Sequence, residues 1–407
     1  MFMLLDCDNF FVSCERVFRP ELKRRPVVVL SNNDGCVISR SNEAKALGIP
    51  MGCPYFKVRD TFTARGGVAL SSRHGLYGDM SRRIMGLLKM FYDHTEVYSI
   101  DEAFVRLPEG ARPEREAPFI RELLGTRTGL PVSVGAAPTK TLCKAAADIA
   151  KKKEGNKIEI LSDEARIDAA LAVRNVADLW GVGRRTALRL NFLGFITALD
   201  LKKAPHSLIR KNLGINTDRI VTELNGIPCR EHIEEGQQSF VCSRTFEREI
   251  SGFDRLKSVM AEFTEAVCRR LRRHESAAAA LTVFIENSRF DPRYPYCQNV
   301  HTQTLSEMTD NTACFMTALA AGLEKVWRPG FRCKRAGVML SDVENVGRLQ
   351  GNLFIPPDEN LKSRKLMQAF DALNEKMGAG TLFFGARTPE ARTEAEHSAF
   401  PGLPEVR

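Results

Sequence analysis

Three carboxylates carry the first chemical suggestion in this chain. Asp6 ends the apolar run MFMLLD, and Asp101 and Glu102 stand side by side in YSIDEAF. An ionised, unpaired carboxylate at the end of a buried strand costs several kcal/mol and ordinarily takes up a proton instead. A bound divalent cation removes that cost, so Asp6 reads as a metal ligand that needs partners from elsewhere in the chain. In a regular strand Asp101 and Glu102 point to opposite faces. At a bend between two strands that alternation breaks, and both can converge with Asp6. An all-oxygen set of this kind suits Mg²⁺, which keeps waters and substrate phosphates as its remaining ligands. Two such ions clamp the attacking and leaving oxygens of a phosphoryl transfer. The competing reading is an exposed hairpin tip bearing two acids, with Asp6 capping the next helix.

The elements that must hold these residues follow from periodicity. A strand is expected over Phe2 to Asp6 and a helix from about Asn9 to Val17. RPVVVLS reads as a β-branched strand, and SNEAKALGIPMG as a helix with a Gly-Pro stop. DMSRRIMGLLKMFY spaces Ile84, Leu87, Leu88 and Phe91 as a helix does. EVYSIDEAFVRL gives two strands meeting at Asp101 and Glu102. The helix PEREAPFIRELLG and the strand LPVSVGAA complete a β-α-β-β-α-β-like order, an α+β sheet interrupted by an insertion. From about Ala165 to Ile233 only short helices are expected. After the linker-like EEGQQS a second β-α-β-β-α-β unit follows, with strands FVCSRTF, AALTVFIE, YCQNVHTQ and RCKRAGVML. Its helices lie around Phe253 to Arg273 and Asn311 to Val326. A last amphipathic helix carries Leu366, Phe370, Leu373 and Met377 on one stripe, ahead of a polar tail.

Composition narrows the class. A chain of 407 residues holds two to four domains, and 43% hydrophobic with 27% charged residues is ordinary for a soluble globular protein. A net charge of +9 leans towards an anionic partner without approaching a histone-like balance. The 11 cysteines are scattered and form no CxxC pair, which points to reduced thiols rather than a disulfide framework or zinc site. The start lacks the pattern of a signal peptide, and no apolar run reaches membrane-span length, so a cytoplasmic protein with no membrane partner is expected.

Four phrases, DCDNFFVSCE, VVVLSNNDGCVISRSNEAKALGIPMG, YSIDEAF and VSVGAAPTKTLCKAAADIAKK, closely resemble the Y-family DNA polymerases, and the second is similar to the UmuC branch. The likeness runs in order from Met1 to about residue 385. It implies a right-handed polymerase with a ferredoxin-like palm (1–17 and 75–164), small fingers (18–74) and a helical thumb (165–236). A β-α-β-β-α-β little finger (239–345) and a C-terminal tail (346–407) complete it. The implied activity is error-prone translesion synthesis of the SOS response, the template-directed transfer of deoxynucleotides to a primer 3′-hydroxyl opposite damaged bases. The implied cofactor is Mg²⁺, as two ions. In the family the positions of Asp6 and Asp101 bind both ions, Glu102 serves the ion nearest the primer end, and the backbone carbonyl at Cys7 is a further ligand. Phe10 and Phe11 match nucleotide-binding positions, with Phe11 at the steric gate that excludes a 2′-hydroxyl. Lys45 and Lys151 match positions that meet the triphosphate. Where other branches carry a Tyr and an Arg, this chain has Asn42 and Lys45, and lysine acts as a point charge without arginine's two-pronged geometry. Lys140, Lys144 and Lys151 form one helical stripe, for which a solvated face is the rival reading.

VADLWGVGRRTALRL resembles a helix-hairpin-helix. Gly181 and Gly183 there would let backbone amides face a DNA phosphate, with Arg184 and Arg185 beside them. In the little finger Arg269, Arg270, Arg272 and Arg273 are the clearest phosphate candidates. Gln350, Leu353 and Phe354 of QGNLF resemble the peptide that binds the bacterial sliding clamp. By resemblance the further partners are primer-template DNA, deoxynucleoside triphosphates, a processed UmuD dimer and a RecA filament. The alternative is a non-catalytic DNA-binding relative that recruits partners, whose mark would be a lost carboxylate. All three remain.

Overall fold

The computed structural model describes residues 1–31, 35–230, 237–349, 357–378 and 380–387, with side chains except at 357–361. The expected clamp peptide and the first half of the EEGQQS linker lie outside the described residues. The chain divides into two units, Met1–Ile233 and Glu234–Arg407.

In the first unit, β1 (Phe2–Cys7) leads into α1 (Phe10–Phe18). An insertion follows with β2 (Val27–Leu30), β3 (Val37–Arg40), α2 (Asn42–Ala46), α3 (Arg59–Ala64) and β4 (Val68–Ser71). The chain then returns through α4 (His74–Phe91), β5 (Thr95–Val97), β6 (Glu102–Arg106), α5 (Pro113–Thr128), β7 (Val132–Ala137), α6 (Lys140–Lys152) and β8 (Ile158–Ile160). The main sheet has the order β5-β6-β1-β7-β8. Strand β1 lies at its centre, antiparallel to both neighbours, and Met3, Leu4 and Leu5 are buried. A strand covered on both faces is continuously apolar, which explains MFMLL. Gly135 in β7 lets α6 press onto the sheet, because a Cβ there would fall 2.3 Å from the Ala147 nitrogen and 2.5 Å from the Cys143 carbonyl oxygen.

The insertion builds its own sheet, β3-β2-β4, around Val28, Leu30, Val37, Ile49 and Phe62. Strands β3, β4 and β8 were not expected from the sequence. At three or four residues each they are too short to show a two-residue period, and pairing with neighbouring strands defines them. Five helices follow, α7 (Glu164–Ala172), α8 (Arg184–Phe192), α9 (Ala198–Lys202), α10 (His206–Leu213) and α11 (Ile215–Leu224). They have no separate core: Leu190, Ile209, Ile220 and Leu224 pack in one cluster with Leu4, Phe104 and Leu142 of the main sheet and α6.

The second unit contains β9 (Phe240–Ile250), α12 (Phe253–Arg273), β10 (Ser276–Glu286), β11 (Gln298–Thr309), α13 (Thr312–Val326), β12 (Cys333–Asn345) and α14 (Pro357–Met377). Its sheet is antiparallel in the order β11-β10-β12-β9. Two features of this unit lie beyond what residue spacing shows. Leu366 and Met377 of α14 are exposed, while Met367 and Asn374 are buried. Asn374 exchanges hydrogen bonds with the backbone of Leu382 at 3.0 and 3.1 Å, a polar burial that counting apolar residues cannot find. The arginines of α12 are not free phosphate ligands. Arg272 grips Asp371 of α14 at 2.7 and 2.9 Å, Arg273 reaches Glu375 at 2.7 Å, and Arg269 lies 3.9 Å from Asp371. Arg270 donates to the Val241 carbonyl.

Candidate active site

Register brings the acids together. Asp6 in β1 stands directly opposite Glu102 in β6, and side chains paired in this way across antiparallel strands share one face. Asp101 lies in the turn just before β6, where the Cys7 amide donates to its carbonyl at 3.0 Å. The Ser99 hydroxyl donates to Asp101 Oδ1 at 2.6 Å and sits 3.5 Å from Glu102 Oε2, so one small group reaches both neighbouring acids. The bend expected between Asp101 and Glu102 is present, and it does break the alternation of the strand.

Lysines of α6 occupy this face. Lys151 donates to Asp6 Oδ2, and Lys144 donates to both oxygens of Glu102 at 2.8 and 2.7 Å. Lys140 pairs with Glu96. The lysine stripe is therefore not a solvated face: each of its members turns onto an acid. Among the described residues no three acidic, histidine or cysteine side chains stand ready as a metal cage. Asp6 nonetheless has the electrostatics of a site that wants positive charge. Burial, then the hydrogen bond with Glu102, pushes its carboxyl up to about 8 against the pull of Lys151. Glu102, although burial opposes it, is held below the usual range by its bonds with Asp6 and Lys144. Two carboxylates drawn onto one buried face, with ammonium groups standing in for cations, fit a divalent ion bound by oxygen.

The face opens into a cleft of about 260 Å³ whose lining includes Asp6, Phe11, Lys45, Asp101 and, further round, Arg40, Lys151 and Lys157; Cys7 and Phe10 also border it. Phe10 itself is buried, whereas the Phe11 ring is half-buried and stacks on Tyr77, with centroids 4.4 Å apart and planes at 17°. The Tyr77 hydroxyl donates to Glu15 Oε1 at 2.8 Å, and Glu15, wholly buried, also accepts from Arg73 Nε at 2.8 Å. Burial, then the positive charge of Arg40, lowers the Lys45 ammonium.

Sequence reasoning missed Asp8, Arg40 and Lys157. Asp8 is buried, takes a hydrogen bond from Ser133 at 2.7 Å and pairs with Lys157 at 2.7 Å. Its signal was available, since Asp8 follows Asp6 at a spacing of two in the same motif. Nothing local pointed to Lys157. Asn42, whose part the sequence left open, accepts from the Asn9 amide at 3.0 Å and ties α2 to the start of α1. Asn9 takes a left-handed φ of 50°, which asparagine tolerates better than most residues.

At the mouth of α8 the two glycines differ. Gly181 has a φ of +89°, and a Cβ there would lie 3.0 Å from Arg230 Nη2. Gly183 has a φ of −82° and open space around it, so it serves as the N-cap of α8 and not as a strained turn residue. Both glycines, Arg184 and Arg185 are exposed, and no side chain caps the first amides of α8.

Comparison with known proteins fits this geometry. Models described as the impB/mucB/samB family and its C-terminal domain match residues 5–148 and 237–353. The chain is 42% identical to Protein UmuC of Salmonella typhimurium over 95% of its length and 93% of that protein. It is 28% identical to DNA polymerase IV of Desulfatibacillum aliphaticivorans, over 93% of this chain and 94% of that one. A solved Y-family DNA polymerase chimera superposes with a TM-score of 0.68 at 22% identity, covering 84% of this chain and 98% of its own. The chain belongs to the impB/mucB/samB family, with Protein UmuC among its relatives, and it has the fold of a solved Y-family DNA polymerase.

Proposed function

We infer that this chain is a translesion DNA polymerase that joins deoxynucleotides to a primer 3′-hydroxyl under the direction of a template. The observation that carries the reading is the pairing of Asp6 with Glu102, with Asp101 in the adjoining turn, at the head of a basic cleft that holds Phe11. Asp6 and Asp101, with the Cys7 carbonyl, would hold two Mg²⁺ ions, and Glu102 would serve the one nearest the primer end. Bound there, Mg²⁺ supplies a better 3′-oxygen nucleophile and charge stabilisation for departing pyrophosphate. Lys45 and Lys151, which both line the cleft, would meet the triphosphate as point charges. Phe11, braced by Tyr77, would lie against the sugar and exclude a 2′-hydroxyl. The uncapped first amides of α8, with Gly181, Gly183 and Arg184, would position the duplex through a phosphate without reading sequence.

The segments named palm, fingers, thumb and little finger would occupy 1–17 with 75–164, 18–74, 165–236 and 239–345. The small insertion sheet offers little surface for checking the shape of a nascent pair, which suits bypass of bulky lesions. A sliding clamp at Gln350, Leu353 and Phe354, a processed UmuD dimer and a RecA filament complete the proposed partners. Among the described residues no helix is long and apolar enough to cross a membrane. Primer extension across an abasic site tests the reading, with wild type against Asp101→Ala, each with and without those partners. Extension by wild type alone supports it. Equal extension by both proteins overturns it.

A further inference from the structure

We propose that Lys144 is a resident counter-ion, seated on the Tyr98–Trp180 corner, which a divalent cation must displace from Glu102. Lys144 engages both Glu102 oxygens, at 2.8 and 2.7 Å, so a metal ion that takes Glu102 competes with an ammonium already held on the same two atoms. The same ammonium lies 4.4 Å above the Tyr98 ring and 6.0 Å from that of Trp180. Ring faces attract a cation, and more strongly when it is partly shielded from water. The Lys144 side chain is 16% exposed, against 38% for Lys151 on Asp6. Of the two lysines on the acids, Lys144 is the one built in.

The corner that holds it is tied together by several contacts. Trp180 Nε1 donates to the Tyr98 hydroxyl at 2.9 Å, and the rings meet edge to face with centroids 5.5 Å apart. The Arg230 guanidinium lies 4.3 Å from the Trp180 ring. Its backbone amide donates to Glu223 at 3.2 Å, and buried Glu223 accepts from the Thr141 amide at 2.9 Å in the first turn of α6. The circuit thus starts and ends on α6, and it joins the Gly181 hairpin to the turn that carries Asp101. Lys144 holds both oxygens of Glu102 in place when no metal is bound, and it weakens metal binding by the strength of its own hold.

This inference rests on reading Asp6, Asp101 and Glu102 as a cation site, so the test separates the two. Mn²⁺ binding is measured by paramagnetic resonance of the free ion, using the full chain with a dideoxy-terminated primer-template. Lys144→Met is expected to tighten Mn²⁺ binding about tenfold, or 1.4 kcal/mol. Lys144→Arg, whose fork matches a carboxylate better, is expected to weaken it by about threefold. Opposite signs from one position are not what a damaged fold produces, and the Arg variant alone decides if the Met variant does not fold. Tyr98→Leu removes the ring seat and shifts binding in the same direction as Lys144→Met. Lys140→Met removes the same charge from the same helix but from Glu96, and is expected to change binding by less than about twofold. Unchanged or weaker binding in Lys144→Met, or unchanged or tighter binding in Lys144→Arg, overturns the inference. Failure of Glu102→Gln to reduce wild-type binding overturns the cation site itself.

Discussion

The brace behind Phe11 can be taken apart one interaction at a time. Tyr77 is wholly buried, stacks on Phe11 at 4.4 Å and donates to the buried Glu15 at 2.8 Å. Tyr77→Phe keeps the ring and deletes the hydroxyl. A hydrogen bond to a charged group contributes about 1.5–3 kcal/mol, so stability should fall by that amount. Arg73 still holds Glu15, which keeps the carboxylate from being stranded. In a unit of this size the loss corresponds to a melting point lower by about 3–12 °C. Sugar discrimination should stay within about twofold of wild type, because stacking is intact. Tyr77→Leu removes the ring as well. An aromatic stack is worth about 0.5–1.5 kcal/mol beyond the area it buries, and losing it as a constraint on Phe11 should lower discrimination by about two- to twelvefold. The assay is single-nucleotide primer extension, comparing kcat/KM for deoxy- and ribonucleotides, alongside thermal unfolding. Phe11→Ala sets the ceiling, with ribonucleotides accepted. Loss of discrimination in Tyr77→Phe as large as in Tyr77→Leu would refute the assignment of the constraint to the stack. Full discrimination in Tyr77→Leu would show that Phe11 needs no brace.

Asp101→Ala should cut nucleotide addition by on the order of a thousandfold while leaving primer-template affinity intact, as a filter-binding assay would report. Gly135→Ala should destabilise the first unit by at least about 3 kcal/mol, since its Cβ would press on backbone of α6 that cannot step aside; an unchanged denaturation midpoint would contradict the close approach. Arg272→Ala should cost about 3–5 kcal/mol by leaving Asp371 poorly paired, and should speed proteolysis of α14. If Arg272→Ala instead weakens only DNA binding with no loss of stability, the arginine belongs to the DNA surface after all. Alanine at both Leu353 and Phe354 should abolish clamp-stimulated synthesis and spare basal synthesis in the same extension assay.

Much of this protein was legible before any coordinates. Strand β1, helix α12 and the β-α-β-β-α-β order of the second unit follow from runs long enough to show their period. The carboxylate motifs were equally plain, because a charged group ending an apolar strand is a local anomaly that needs no fold to be noticed. Strands of three or four residues were not legible, nor was the face of α14, where Asn374 is buried because the Leu382 backbone satisfies it. The arginines of α12 show the limit most clearly. Four basic residues in five positions look like a nucleic-acid surface, yet three of them pair with a helix about a hundred residues further on.

The kind of chemistry available was therefore determined by the amino-acid sequence alone: which residues carry negative oxygen, which carry ammonium groups, and which elements bear them. Tertiary structure decided who meets whom. Asp6 faces Glu102 through strand register, Lys144 lands on Glu102 because Gly135 admits α6 close to the sheet, and Tyr77 arrives behind Phe11 from α4. Electrostatic and packing energies depend on distance through space, and separation along a chain says almost nothing about that distance until the strands have paired.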